Sequence, residues 1–279
     1  MGMKQILVMM VAVMLVGQSV VAEEKLIADP IVEKAIRKEL KKRTGKLTKA
    51  DLKKVTSLSL VRTQITDAGL KEVAKLQKLT KLNLTFTRNI TDAGLKEIAK
   101  LTQLTWLGLW STKTTDAGLK EVAKLTQLTS LGLGGTKIND AGLKELAKMQ
   151  QLKSLALTDT KITDAGLKEL AKLKQLAGLS LYNTQITDAG LKEVAKLRQL
   201  TSLDLTRCFQ ITDAGLKELV NLKQLAGLVL RGTKITDAGL EEVAKMQQLT
   251  YLNLSDTQVT KAGVSELQKA LPNCKIKGP

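Results

Sequence analysis

Thr66-Asp67-Ala68-Gly69-Leu70-Lys71-Glu72 recurs along the chain with small changes, its glycine reappearing at Gly94, Gly118, Gly142, Gly166, Gly190, Gly215, Gly239 and Gly263. The step is 24 residues, lengthened to 25 between Gly69 and Gly94 and between Gly190 and Gly215. A unit this short cannot bury its own apolar face, so neighbouring units have to stack into one continuous core. The period therefore predicts a solenoid. It occupies nearly all of the 279 residues and leaves no room for a second domain.

One unit, Ile65 to Thr87, shows what each step contains. Thr66 reads as a helix N-cap, Asp67 places a negative charge in the first turn, and Leu70, Val73, Ala74 and Leu76 have helical spacing. After Leu76 the pattern becomes Leu79-x-x-Leu82-x-Leu84, whose last two leucines alternate as in a strand with one buried face. The two longer steps place their additional residue between strand and helix, at Thr87 to Ile90 and at Cys208 to Ile211.

Leu128-x-x-Leu131-x-Leu133, Leu152-x-x-Leu155-x-Leu157, Leu176-x-x-Leu179-x-Leu181 and Leu249-x-x-Leu252-x-Leu254 resemble the signature of leucine-rich repeats, over roughly Val55 to Ile276. The resemblance implies an α/β fold, a right-handed leucine-rich-repeat solenoid curved into a horseshoe. Its parallel sheet is expected on the concave side and its short helices on the convex side, since strands need about 4.8 Å each and helices about 8 to 10 Å. The position that usually holds Asn is taken by Thr63, Thr87, Thr112, Thr136, Thr160, Thr184, Thr233 and Thr257, with Cys208 once. A ladder of hydroxyls is expected to take over the backbone hydrogen bonding there.

Cys208-Phe209-Gln210-Ile211-Thr212-Asp213 is similar to the cysteine-containing repeats of F-box proteins, but no F-box precedes the array, and the ubiquitin-ligase role does not carry over. Asp29 to Leu60 resembles the helical cap of internalin-like exported bacterial repeat proteins. Asp29 caps, Pro30 suits the first helical position, and Ile31, Val32, Ala35, Ile36 and Leu40 form one apolar face before Gly45 ends the helix. Leu271-Pro272-Asn273-Cys274-Lys275-Ile276 supplies a last strand with polar ends. The chain thus divides into residues 1–22 (signal peptide), 23–54 (helical N-terminal cap), 55–270 (repeats) and 271–279 (C-terminal cap strand and tail).

The signal-peptide reading rests on a charge between Met1 and Lys4, an apolar run from Ile6 to Val16, and Val20-Val21-Ala22 before Glu23-Glu24. The apolar run is short for a membrane span, so cleavage near Ala22 is expected to release an exported chain (periplasmic, envelope-bound or secreted) without a stable membrane span. An uncleaved anchor remains the alternative. Cys208 and Cys274 invite a disulfide in such a compartment, but in the repeat alignment they lie three strand positions apart. That is roughly 14 Å, beyond the bridging limit of about 7 Å, so both are read as buried or semi-buried thiols.

The formal charge of +17 calls for an anionic partner or serves solubility alone. About +5 belongs to Glu23 through Lys54, while lysines such as Lys71 and Lys75 alternate with Glu72 as on a solvated helix face. There is no histidine, so the common base and zinc ligand is missing, and Gly45-Lys46-Leu47 lacks the rest of a phosphate-binding loop. No metal, cofactor or catalysis is expected.

The sheet positions not occupied by leucine point to solvent, and five of the six aromatic residues fall among them: Phe86, Trp106, Trp110, Tyr182 and Tyr251. Leucine fills the core, so these rings are not needed for packing, and exposed aromatics with arginines are the usual anchors of recognition. Phe86, Trp106 and Trp110 are expected to form one cluster beside a flat area left by Gly132, Gly134 and Gly135. A second group is Arg207 and Arg231 with Asp204, Tyr182 and Tyr251; it offers contacts to an acidic peptide or glycan, or simply balances its own charges. The reading is a non-catalytic binding module for a protein or peptide ligand on the concave face. Two alternatives stay open: an envelope scaffold holding anionic polymer or lipid through the basic cap and convex face, and an inhibitor of a secreted enzyme in the manner of ribonuclease-inhibitor-type repeats. Nucleic acid is not expected, because the rings and the lysines are assigned to opposite faces.

Overall fold

The computed structural model describes residues 25–279, so the signal-peptide reading lies outside the described residues. Ten short strands form one parallel sheet in strict chain order: β1 (Ser57–Ser59), β2 (Lys81–Asn83), β3 (Trp106–Gly108), β4 (Ser130–Gly132), β5 (Ser154–Ala156), β6 (Gly178–Ser180), β7 (Ser202–Asp204), β8 (Gly227–Val229), β9 (Tyr251–Asn253) and β10 (Lys275–Lys277). Register is set leucine on leucine, with Leu82 opposite Leu58 and Leu107, and the match continues to Leu252 opposite Ile276. A tier below means one strand with the loop and helix that follow it, numbered by its strand.

Two cap helices, α1 (Pro30–Glu39) and α2 (Lys49–Lys54), precede the array. The repeat helices are α3 (Asp67–Val73), α4 (Asp92–Ile98), α5 (Asp116–Val122), α6 (Asp140–Leu146), α7 (Asp164–Leu170), α8 (Asp188–Val194), α9 (Asp213–Leu219) and α10 (Asp237–Ala244), and α11 (Lys261–Ala270) closes the series. The core between helices and sheet is a column of leucines, isoleucines and valines, nearly all without solvent contact. The chain is an α/β solenoid in which short parallel strands alternate with short helices.

The repeated motif does more than start a helix. From Thr91 onward, each N-cap Thr or Asn accepts a hydrogen bond from the backbone N–H two or three residues on, as a cap should. The Asp that follows reaches into the next tier. Asp140 accepts from the Thr163 N–H at 2.9 Å and from its hydroxyl at 2.6 Å, and the same pair of bonds joins Asp67 to Thr91, Asp92 to Thr115, Asp164 to Thr187, Asp188 to Thr212, Asp213 to Thr236 and Asp237 to Thr260. The motif's glycine makes room for this carboxylate: a Cβ on Gly166 would stand 2.3 Å from Asp140 Oδ1. Asp116 keeps only the N–H bond, because Asn139 stands where Thr would supply a hydroxyl.

The threonine ladder holds backbone groups in a local form. Each hydroxyl donates to the carbonyl of the leucine three residues before it, as Thr136 does to Leu133 and Thr233 to Leu230. The Cys208 thiol alone reaches the neighbouring tier, donating to Leu181 O at 3.1 Å. Cys208 and Cys274 are free and buried, and desolvation pushes both thiols above the ordinary range.

The cap departs from expectation at one point. Asp29 caps α1, accepting from the Ile31 and Val32 N–H groups, and Val32 and Ile36 are buried. The helix ends at Glu39, however, and not at Gly45, because Lys41 turns into the left-handed region at φ 53°. Beyond Gly45 a second cap helix, α2, is started by a reciprocal Thr48–Asp51 capping box. The two 25-residue steps do lengthen the passage from strand to helix, where Ile90 N–H bonds Thr87 O and Ile211 N–H bonds Cys208 O.

Candidate functional site

One position per tier has an unusual backbone. Arg62, Phe86, Ser111, Gly135, Asp159, Asn183, Arg207, Gly232 and Asp256 all have positive φ, between 51° and 69°. They follow the strands and turn the chain towards the helix. Glycine, Asn and Asp tolerate this conformation; Phe and Arg do so at a cost. Two of the predicted site residues, Phe86 and Arg207, therefore stand on strained turns, where the appearance of Gly, Asn or Asp at equivalent positions was the available sequence signal.

The rings do not converge as expected. The guanidinium of Arg62 lies 5.2 Å from the centre of the Phe86 ring, one tier back. Trp106 folds along its own strand over Gly108, where an added Cβ would come within 2.7 Å of the ring. It borders a hollow of ≈ 340 Å³ lined also by Ser57, Leu58, Ser59, Lys81 and Asn83. Trp110 leans the other way: Cβ atoms on Gly132 and Gly134 would meet its indole at 2.3 and 2.7 Å. The glycines expected to leave a flat area are instead the bed of this side chain. Each ring thus rests on a different neighbour, Trp106 and Trp110 half-buried and Phe86 exposed.

The second group is largely self-contained. Arg231 pairs with Asp256 at 2.7 Å, and that bond holds its guanidinium more firmly protonated. Asp204 accepts from the N–H and hydroxyl of Thr206, and the Ser180 hydroxyl donates to it. Arg207 lies over Tyr182, 5.9 Å from the ring centre. Tyr251 starts β9, two strands from β7 and three from β6. Ion pairing accounts for Arg231 and hydrogen bonds to Ser180 and Thr206 for Asp204, leaving the exposed Arg207 over the half-buried Tyr182 without a counter-ion among the described residues.

The helix face carries less free charge than its lysines suggest. Glu72 pairs with Lys75, and the same i,i+3 pair recurs at Glu97–Lys100, Glu121–Lys124, Glu145–Lys148, Glu169–Lys172, Glu193–Lys196 and Glu242–Lys245. With Asp67 and Lys71 counted, the α3 motif carries two acids and two bases and sums to zero. A hollow of ≈ 490 Å³ lies in the cap, lined by residues including Leu26, Ile27, Arg37 and Leu47; none of the predicted site residues borders it.

Among the described residues, no group of three or more His, Cys, Asp or Glu side chains converges, and no helix is long and apolar enough to cross a membrane. The family described as Leucine Rich repeat matches residues 52–74, 75–99, 124–147, 148–171, 196–220 and 245–267. No curated protein matches the chain. Among solved structures, the chain is similar to internalin C2 from Listeria monocytogenes str. 4b F2365, at 26% identity over 91% of this chain and 95% of that one, with a TM-score of 0.56. It is also similar to internalin F from the same organism, at 21% identity over 90% and 95% of the two chains, with a TM-score of 0.49.

Proposed function

Because the chain belongs to the leucine-rich repeat family, we propose that it is an exported, non-catalytic module that binds a protein through the open face of its sheet. The observation carrying this reading is the placement of aromatic residues: five of six stand on or beside the strands, although leucine already fills the core. A half-buried indole seated on two glycines is pre-positioned, so contact with a partner would cost little side-chain entropy. Rings held in this way commonly act as interface anchors. Export rests on the apolar N-terminal run and on the likeness to internalin C2.

The test is capture. The wild-type chain, cross-linked in the envelope fraction of its own cell, is expected to retain a defined protein partner, and Trp106→Ala with Trp110→Ala is expected to reduce that capture at least about tenfold, the loss of one anchor of about 1.4 kcal/mol or more. An unchanged cross-linking pattern in a folded double variant would remove the sheet face as the binding surface.

A further inference from the structure

The helix motif is electrically balanced, so the surplus positive charge lies elsewhere, and part of it is ordered. Lys113, Lys137 and Lys161 occupy one position in the loop between strand and helix of tiers 3 to 5, and Arg88 stands one residue before it in the lengthened loop of tier 2, where Asn89 holds that position. At the position of Lys113, tiers 1, 6, 7 and 9 carry Gln64, Gln185, Gln210 and Gln258, and tier 8 carries Lys234. These loops are stacked backbone to backbone: Lys113 N–H bonds Ile90 O at 2.9 Å, Lys137 N–H bonds Thr114 O at 3.0 Å, and Lys161 N–H bonds Ile138 O at 3.3 Å. Thr115 bridges Lys137 and Asn139 bridges Lys161 in parallel.

All four side chains are exposed, and among the described residues none has a hydrogen-bonded or ion-paired partner. The nearest carboxylates in sequence are committed: Asp116 and Asp140 hold Asn139 and Thr163 of the next tier, and Asp159 accepts from Asn183. Adjacent hydrogen-bonded tiers are about 4.8 Å apart, so Lys113, Lys137 and Lys161 stand in file over about 10 Å, with Arg88 displaced by one residue in the tier before them, and neighbouring cations are closer together than a Debye length at physiological salt. Nothing in the fold requires this repulsion. The row also passes the tryptophan, since Trp110 and Lys113 share tier 3 and both follow the C-terminal end of β3. The expectation that rings and lysines occupy opposite faces holds for the helix lysines and fails here.

We propose that Arg88, Lys113, Lys137 and Lys161, with Trp110 at their side, form a track for an extended acidic protein segment lying across tiers 2 to 5. This deepens the sheet-face reading and rests on it. An extended chain advances about 3.3 Å per residue, so the track spans four to five residues. Carboxylates on alternate residues would fall about 6.6 Å apart, within reach of the flexible lysines. An apolar side chain among them would meet the indole. A single-stranded nucleic acid fits less well, because it asks for rings interleaved along the cations, and four cations here share one.

The probe is a fluorescein-labelled heptapeptide alternating Glu and Val and ending in Phe, followed by anisotropy with the full chain. Wild type is expected to bind it, with affinity falling as salt is raised. Replacing Lys113, Lys137 and Lys161 together by Gln is expected to weaken binding at least about tenfold. Replacing Lys120, Lys144 and Lys168 on the helix face in the same way removes equal charge and is expected to change it less than about twofold. Circular dichroism confirms that each variant is folded. Equal losses from the two triple variants, or no binding of the peptide at about 1 mM, would overturn the track. Tighter binding of a ten-residue oligothymidine than of the peptide would overturn the assignment to protein. If envelope capture depends on Trp106 and Trp110 but survives the Lys113, Lys137 and Lys161 changes, the sheet face stands and the track falls.

Discussion

At the scale of single residues, Phe86 is where fold and function pull apart. Its φ of 61° is one that Gly135 and Gly232 adopt freely at the equivalent turns, and an L-residue there costs about 1 to 2 kcal/mol. The contact with Arg62 returns about 0.5 to 1 kcal/mol, which does not cover that cost. Stability alone would not place a phenylalanine here. At an ordinary strand or helix position Ala is favoured over Gly by about 0.5 to 1 kcal/mol; at residue 86 the order should invert. Phe86→Gly is expected to be about 1 kcal/mol more stable than Phe86→Ala, read from urea unfolding midpoints at constant m-value. The usual order, Ala above Gly, would mean that the turn is not strained in solution.

At the scale of elements, stacking depends on one three-part joint: an Asp, the next tier's capping hydroxyl, and a glycine that leaves room for the carboxylate. In Gly166→Ala the new methyl would meet Asp140 Oδ1, which accepts from the Thr163 N–H while Oδ2 accepts from the Thr163 hydroxyl, so the carboxylate cannot swing aside without losing both bonds. A destabilisation of about 1 to 3 kcal/mol is expected. At Gly178, in a strand, the nearest atom to an added Cβ is Ser154 Oγ at 3.6 Å, so Gly178→Ala should be neutral or up to about 1 kcal/mol more stable than wild type. Thermal unfolding of the two variants separates these cases, and equal effects would show that the joint carries no strain.

Much of this element scale was legible in the sequence. The 24-residue step fixed the order of strand and helix, Thr163 and its equivalents marked helix starts, and repeat alignment kept Cys208 away from Cys274. The Asp-to-Thr joint was not legible, because Asp140 and Thr163 are 23 residues apart and every unit carries the same letters. Nothing in the pattern says whether Asp140 serves its own helix or the next tier. The bed of Trp110 was hidden for a similar reason: Gly132 and Gly134 look like gaps until the strand beside them is known. The end of α1 was misplaced because Lys41, and not a glycine, adopts the left-handed turn.

At the scale of the whole molecule, carboxylates that bind the cap and the tiers make stability depend on acidity. Lys42 donates to Asp51, which also completes the α2 capping box, and together these hold its carboxyl well below the usual carboxylate range. The Thr260 hydroxyl and N–H lower Asp237 in the same sense. A depressed carboxyl contributes stability above its unfolded value of about 3.9, and that contribution is lost as pH falls through the folded value. The urea midpoint is therefore expected to hold level from about pH 7 to pH 5 and to fall below about pH 4. Asp51→Asn should start lower and fall less steeply. A midpoint that rose on acidification would contradict this linkage.

The sheet also has ends. Strand order from β1 to β10 leaves each terminal strand with one unpaired side, and a stack of parallel strands has no geometric reason to stop at ten. The last strand is Lys275-Ile276-Lys277, with both lysines exposed. A second copy offering its own strand to that edge would have to bring further polar or charged groups against them, a device that discourages edge pairing. Lysines on an open strand thus oppose runaway polymerisation, since a repeatable architecture would otherwise offer that edge to fibre growth.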